Sequence, residues 1–241
     1  MKQTICALVS GGLDSCVMLA ELAGHYDRVY PLYVRGGLVW EEAELRHLRR
    51  FLVAASLLAA GHSSKGPRHP GAASRLAATV RPLTVLDLPV RDLYGEHWST
   101  TGRTVPGAAT RDAAVYLPGR NLLLLAKAAV FCARHGIGTI AIGSLDRNPF
   151  PDATPRFFRK FAAAAGAALG VRWRVTAPFR RLTKEQVIRR GARLGLPLQL
   201  SFSCLAPRAG RHCGHCNKCA ERQQAFRALG LRDPTRYTAR F

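Results

Sequence analysis

The spacing of apolar positions along the chain changes period several times, and each change marks an element. Residues 4–10 (TICALVS) form a near-continuous apolar run of the kind buried in parallel sheets, ended by Gly11 and Gly12. From Leu13 to about Ala23, apolar positions that include Val17, Leu19 and Leu22 predict a helix closed by Gly24. Residues 28–34 read as a second strand stopped by Gly36 and Gly37. From Glu41 to about Ala60, Leu45, Leu48, Leu52 and Ala55 recur at three and four, with Glu42, Arg46, Arg49 and Arg50 left for water, which predicts an amphipathic helix. Residues 61–78, rich in Gly, Ser, Pro and His, predict a loop, and residues 84–90 a third strand. Residues 95–116 show no period and supply Gly, Thr and Pro, the mark of a long loop over an active site.

The second half continues the alternation. Residues 121–135 (NLLLLAKAAVFCARH) predict an apolar helix that Asn121 can cap, residues 139–142 a short strand closed by Gly143, and residues 155–169 a helix with proline in its first turn. Residues 171–177 offer a last strand. Thr183 with Gln186 three positions on forms a capping box for a helix ended by Gly195 and Pro197, and a further helix spans residues 220–229. Strands separated by helices predict an α/β fold, a doubly wound parallel sheet whose ligands bind beyond the carboxyl ends of the strands. That rule gathers residues 10–15, 35–37 and 143–146 around one crevice. The expected division is an α/β domain over residues 1–200 and a small helical segment over residues 201–241.

Composition narrows the class. A chain of 241 residues, 48% apolar and 21% charged, is globular and long enough to bury roughly 70–75% of its unfolded surface, so neither metal nor disulfides are needed for bulk stability. The longest apolar run, residues 52–60, is interrupted by Ser56 and falls short of the roughly 20 residues of a membrane span. The start lacks the long apolar stretch of a signal peptide, and the expectation is a cytoplasmic protein. The net charge of +21 rests on 30 arginines and 6 lysines spread along the whole chain. Such a field attracts phosphates of a nucleotide or of RNA without choosing between them, and an arginine-rich coding bias accounts for it equally well.

Three motifs carry chemistry. SGGLDS, residues 10–15, lies at a strand-to-helix junction, where two glycines permit a tight turn and the helix start offers free N–H groups to an anion. It lacks the Gly-Lys-Ser/Thr ending of the triphosphatase loop and the third glycine of the dinucleotide fingerprint. A turn that merely caps a helix would not call for Ser10, Asp14 and Ser15 together. LPGRN, residues 117–121, is either a plain Pro-Gly turn into a helix or, through Arg120, part of a binding site. Cys204, Cys213, Cys216 and Cys219, spaced C-x(8)-C-x(2)-C-x(2)-C, can close a tetrahedral zinc shell with no open position, although an iron–sulfur cluster uses similar thiols. His212 and His215 are near enough to replace a thiolate, His97 and Trp98 to stack on a heterocycle, and Lys184 to reach a phosphate or simply to cap its helix from outside.

S-G-G-x-D-S after a first buried strand resembles the PP-loop of the adenine nucleotide α-hydrolase-like ATP pyrophosphatases. Together with PGRN, TKEQVIRRGARLGLP and the C-terminal cysteines, it resembles the 7-cyano-7-deazaguanine synthase family across most of the chain. The stretch IGSLDRNPFPDATPRFF, residues 142–158, departs from that family: Asp152 is kept, but Ala153 and Thr154 stand where a cysteine and an arginine are usual. The segment after the second strand, RGGLVWEEAELRH, departs as well. A divergent, specialised branch fits both departures.

The resemblance implies ATP and Mg2+ on a loop of Ser10, Gly11, Gly12, Leu13, Asp14 and Ser15, with Gly143 alongside. It implies Asp14, Arg120 and Lys184 as catalytic residues, an acceptor pocket with Arg120, Asp146 and Asp152, and one structural Zn2+ on the four cysteines. The implied reaction adenylates the carboxylate of a 7-deazapurine and displaces AMP with ammonia. A tRNA-thiolating enzyme of the same superfamily, a ligase for another small acid and a nucleotide-binding sensor remain open, as do contact with tRNA and a homodimer.

Overall fold

The computed structural model describes residues 3–61, 72–146 and 148–238. Five strands, β1 (Thr4–Leu8), β2 (Arg28–Arg35), β3 (Thr84–Asp87), β4 (Thr139–Ile142) and β5 (Arg174–Thr176), form one sheet in the order β3-β2-β1-β4-β5, with every pair parallel. The central strand shows why its run is apolar throughout. Ile5 and Ala7 point into one core and Cys6 and Leu8 into another, so neither face meets water.

The helices are α1 (Leu13–His25), α2 (Glu41–Gly61), α3 (Ala72–Thr79), the single turns α4 (Arg91–Tyr94) and α5 (Trp98–Thr101), then α6 (Arg120–Arg134), α7 (Pro155–Leu169), α8 (Lys184–Arg193) and α9 (Asn217–Ala228). Val17, Leu48, Leu76, Val187 and Phe226 from α1, α2, α3, α8 and α9 share the first core. Leu125 and Ala129 of α6 and Phe158 of α7 pack on the opposite face. A third cluster joins Leu38, Trp40, Val90 and Leu117 to Phe202 and the four C-terminal cysteines, so the last segment is packed onto the rim of the sheet.

Several boundaries differ from the sequence expectation, each for a local reason. Part of the expected 61–78 loop lies outside the described residues, but residues 72–79 are helical because Leu76, 2% exposed, docks in the first core. Gly24 does not end α1, which runs on to His25. Asn121 does not cap α6: Gly119, at φ +71°, holds that position, and the backbone N–H of Asn121 is bonded by Asp152 instead. The last strand is three residues long rather than seven. The capping box of α8 is present, with Thr183 and Gln186 each bonding the other's backbone. Among the described residues no helix is long and apolar enough to cross a membrane.

Candidate functional site

Chain connections leave β1 and β4 in opposite directions, which opens a crevice between their carboxyl ends. Ser10, Gly12, Leu13, Asp14 and Gly143 line a cavity of about 350 Å³ there. A second cavity of about 190 Å³ adjoins it, sharing Ser10, Gly12, Asp14, Gly143, Glu44 and Arg120 and adding Ser15, Tyr33 and Leu124. The loop is held by its own hydroxyls: Ser10 Oγ accepts from Gly12 N at 3.3 Å, while Ser15 Oγ accepts from Ser10 N at 3.2 Å and donates to the Gly12 carbonyl at 3.0 Å. Gly11, at φ +74°, turns away from the cavity toward α2, where a Cβ would stand 3.0 Å from the Glu44 carbonyl oxygen. Gly12 caps α1 without a side chain, so the N–H groups of Leu13, Asp14 and Ser15 face the crevice with no partner among the described residues. Free donors and the positive helix end make this an anion seat.

A chain of charges borders the seat. Lys184 Nζ donates to Asp14 Oδ2 at 2.5 Å and lies 3.5 Å from Glu221, which in turn pairs with Lys218 at 2.8 Å; Lys218 also reaches Asp112 at 3.2 Å. Burial alone would lower the Lys184 pKa, but the Asp14 and Glu221 carboxylates override it and hold the ammonium charged. Burial likewise works against Glu221, yet the two lysines bring its carboxyl down to about 2. The reading of Lys184 as an exposed capping residue is set aside, since its side chain keeps only 17% of its surface. Asp14 Oδ1 is buried with no partner, an oxygen that suits a hard cation.

The outer wall is aromatic. Trp98 lies against Trp40 with ring centroids 5.6 Å apart, and both line the larger cavity; Phe150, stacked on Tyr116 at 4.9 Å, lines it as well. Arg120 lines both cavities and sets its guanidinium 5.9 Å from the Trp40 ring. His97 serves its own turn, its ring nitrogen accepting from Ser99 N. Glu44, 6% exposed, also faces both cavities. One of its oxygens accepts from the Tyr33 hydroxyl at 2.7 Å, and burial raises its pKa to about 8 against the downward pull of Arg120.

The remaining expected residues divide. Asp146 lines the larger cavity. Asp152 lines neither, its carboxylate bonding Asn121 N at 2.9 Å and Asn121 Nδ2 at 3.3 Å. Residues 35–37 stand apart from the crevice: Arg35 pairs with Asp87, and Glu41 takes the N–H groups of Gly36 and Gly37.

The four thiols of Cys204, Cys213, Cys216 and Cys219 lie within 4.8 Å of one another, with sulfur pairs at 3.9 and 4.0 Å. A tetrahedron with Zn–S bonds of about 2.3 Å has edges of about 3.8 Å, so the set fits zinc. Three backbone N–H groups aim at these sulfurs, from Leu205, Cys213 and Cys216 at 3.2–3.4 Å, as thiolates require. The histidines stay outside: His212 accepts from Ser203 N, and His215 sits on the Cys213 carbonyl. Cys16 is buried beneath the loop, and burial pushes its thiol up.

Sequence reasoning missed Glu44, Trp40 and Glu221, and it read Lys218 as offsetting thiolate charge, whereas its ammonium pairs with Glu221 and Asp112. Glu44 sits on the helical stripe of Leu48 and Phe51, four and seven positions on, which marks it as inward; Glu221 follows the last cysteine by two.

The family model described as queuosine biosynthesis protein QueC matches residues 4–230. The chain is 34% identical over 247 residues to 7-cyano-7-deazaguanine synthase 1 of Sphingopyxis alaskensis, covering 98% of each chain. It is 31% identical over 247 residues to 7-cyano-7-deazaguanine synthase of Ralstonia pickettii, covering 98% of this chain and 100% of that one. The corresponding protein of Cupriavidus necator is 32% identical over 249 residues, with 99% of each covered. Matched along nearly its whole length by one family and by full-length relatives above 30% identity, the chain belongs to the queuosine biosynthesis protein QueC family.

Proposed function

We propose that the chain converts 7-carboxy-7-deazaguanine and ammonia to 7-cyano-7-deazaguanine, cleaving ATP to AMP and pyrophosphate. The observation that carries this reading is the uncapped start of α1 beside the Lys184–Asp14 pair, at the mouth of a cavity walled by indoles. Donors and a fixed ammonium gathered at one end suit a departing pyrophosphate; a planar aromatic acid suits the other end.

A carboxylate repels nucleophiles, and its oxide leaves badly. Attack of a carboxylate oxygen on the α-phosphorus releases pyrophosphate and makes an acyl adenylate, from which ammonia displaces AMP to leave an amide. A second adenylation, on the amide oxygen, lets that oxygen depart with AMP as the nitrile forms. The N–H groups of Leu13, Asp14 and Ser15 hold phosphate oxygens, Lys184 neutralises charge on the leaving group, and Arg120, present in both cavities, orients the acid toward the α-phosphorus. Mg2+, with Asp14 Oδ1 as its protein ligand, would supply further charge neutralisation on the phosphates. The four cysteines would hold one structural Zn2+.

Sulfur transfer to tRNA finds no support, since Cys16 is buried as an inert thiol and the C-terminal thiols face one another. The test is incubation with Mg-ATP, ammonia and 7-carboxy-7-deazaguanine, followed by mass spectrometry. Nitrile and AMP are expected; ADP in place of AMP, or AMP with a different acid only, rejects the assignment.

A further inference from the structure

Displacement by ammonia and formation of a nitrile both require that protons leave nitrogen inside the cavity, and the loop and the lysines supply none of the bases. Of the other cavity-lining carboxylates, Asp14 and Glu221 are paired with Lys184 and Asp112 with Lys218, each already committed to a cation, while Asp146 is exposed to solvent at the rim. Glu44 is different. It stands behind the loop, its Cγ within 3.4 Å of a Cβ placed on Gly11, and faces the junction of both cavities. Oε2 is fixed by the neutral Tyr33 hydroxyl, and Oε1 has no hydrogen-bond partner among the described residues.

We infer that Glu44 is the proton acceptor of the ammonia-dependent steps. This rests on the ligase reading above. In the first step the nitrogen lone pair forms the C–N bond, the C–O bond to AMP breaks with its electron pair on AMP, and the surplus N–H proton passes to Glu44 Oε1. In the second, the amide nitrogen gives up one proton as its oxygen is adenylated and the other as AMP leaves and the N–H electrons join the C≡N bond, and both protons take the same route; solvent receives each proton afterwards. A carboxyl whose proton affinity is raised by burial is matched to such a task. The groups that act on it are Tyr33 from β2, Glu41 on its own helix, Arg120 from α6 and Cys16 from α1.

Two assays on wild type, Glu44→Gln and Glu44→Asp separate the steps. One follows acid-driven exchange of labelled pyrophosphate into ATP without ammonia; the other follows amide and nitrile formation at fixed free ammonia. Glu44→Gln is expected to keep exchange within about threefold and to lose amide and nitrile formation by about 100-fold or more, with partial recovery in Glu44→Asp. Because the Tyr33 hydroxyl lowers the Glu44 pKa, Tyr33→Phe should move the rising limb of the ammonia-dependent pH profile to higher pH and leave the exchange profile in place. Nitrile formation by Glu44→Gln at the wild-type rate, loss of exchange in parallel with it, or an unmoved limb in Tyr33→Phe overturns the inference. The last of these decides even if Glu44→Gln does not fold. A wild type without acid-driven exchange overturns the ligase reading itself.

Discussion

Lys184 and Asp14, 170 residues apart in sequence, meet at 2.5 Å and lock the start of α8 onto the start of α1. The pair sits where pyrophosphate is expected to depart, so it joins the stability of the α1–α8 contact to the chemistry of the loop. Asp14→Asn is expected to fold and to lose AMP formation by about 100-fold or more, the scale of removing a preorganised charged contact. Lys184→Met, which strands Asp14, is expected to lose AMP formation similarly and to cost about 1–3 kcal/mol in urea unfolding, below the roughly 3–5 of a fully buried pair because both side chains keep some solvent. Wild-type turnover in Asp14→Asn would remove the loop from the mechanism.

The sulfur geometry predicts about one zinc per chain by elemental analysis. Cys216→Ser should lose the metal and loosen the segment carrying Lys218 and Glu221, seen as faster hydrogen exchange in α9. Equal protection of α9 with and without metal would contradict a structural site.

The stacked indoles should matter to the acid and not to ATP. Trp98→Ala is expected to raise KM for the acid about three- to tenfold, in line with aromatic contacts of about 0.5–1.5 kcal/mol, while KM for ATP changes less than about twofold. Steady-state kinetics with each substrate varied in turn distinguishes the two.

Glu44 also imposes a pH dependence on stability. Its folded pKa, about 8, lies above the ordinary 4.5, so the folded state holds a proton that the unfolded state has released between those values. Stability from this group is present below about pH 4.5 and is lost as pH rises toward 8. Glu44→Gln should therefore gain stability relative to wild type between pH 5 and pH 9, by at most about 5 kcal/mol at about 1.36 kcal/mol per unit. Chemical denaturation at the two pH values reads the difference, and a constant offset would contradict it.

The sheet was legible in the sequence because parallel strands buried on both faces leave unbroken apolar runs, as in residues 4–8 and 139–142. The loop and the cysteines were legible because their chemistry is set by local spacing. Glu221 was not, and Glu44 only through its place on the stripe of Leu48 and Phe51, since a glutamate on a helix otherwise reads as solvent-facing until the partner that buries it is placed, and Tyr33 and Lys184 lie on other elements. Asp152 illustrates the reverse: a residue singled out by resemblance to a motif is spent on the backbone of Asn121, a bond hidden by a separation of 31 positions along the chain.

Distance along the chain sets an order of assembly during translation. The glycine turn and Asp14 precede their countercharge, Lys184, by 170 residues, and that lysine's second carboxylate, Glu221, comes later still. A chain still being made thus holds the turn with Asp14 lacking its ammonium partner, and the crevice gains its full set of charges only when α8 and α9 have docked.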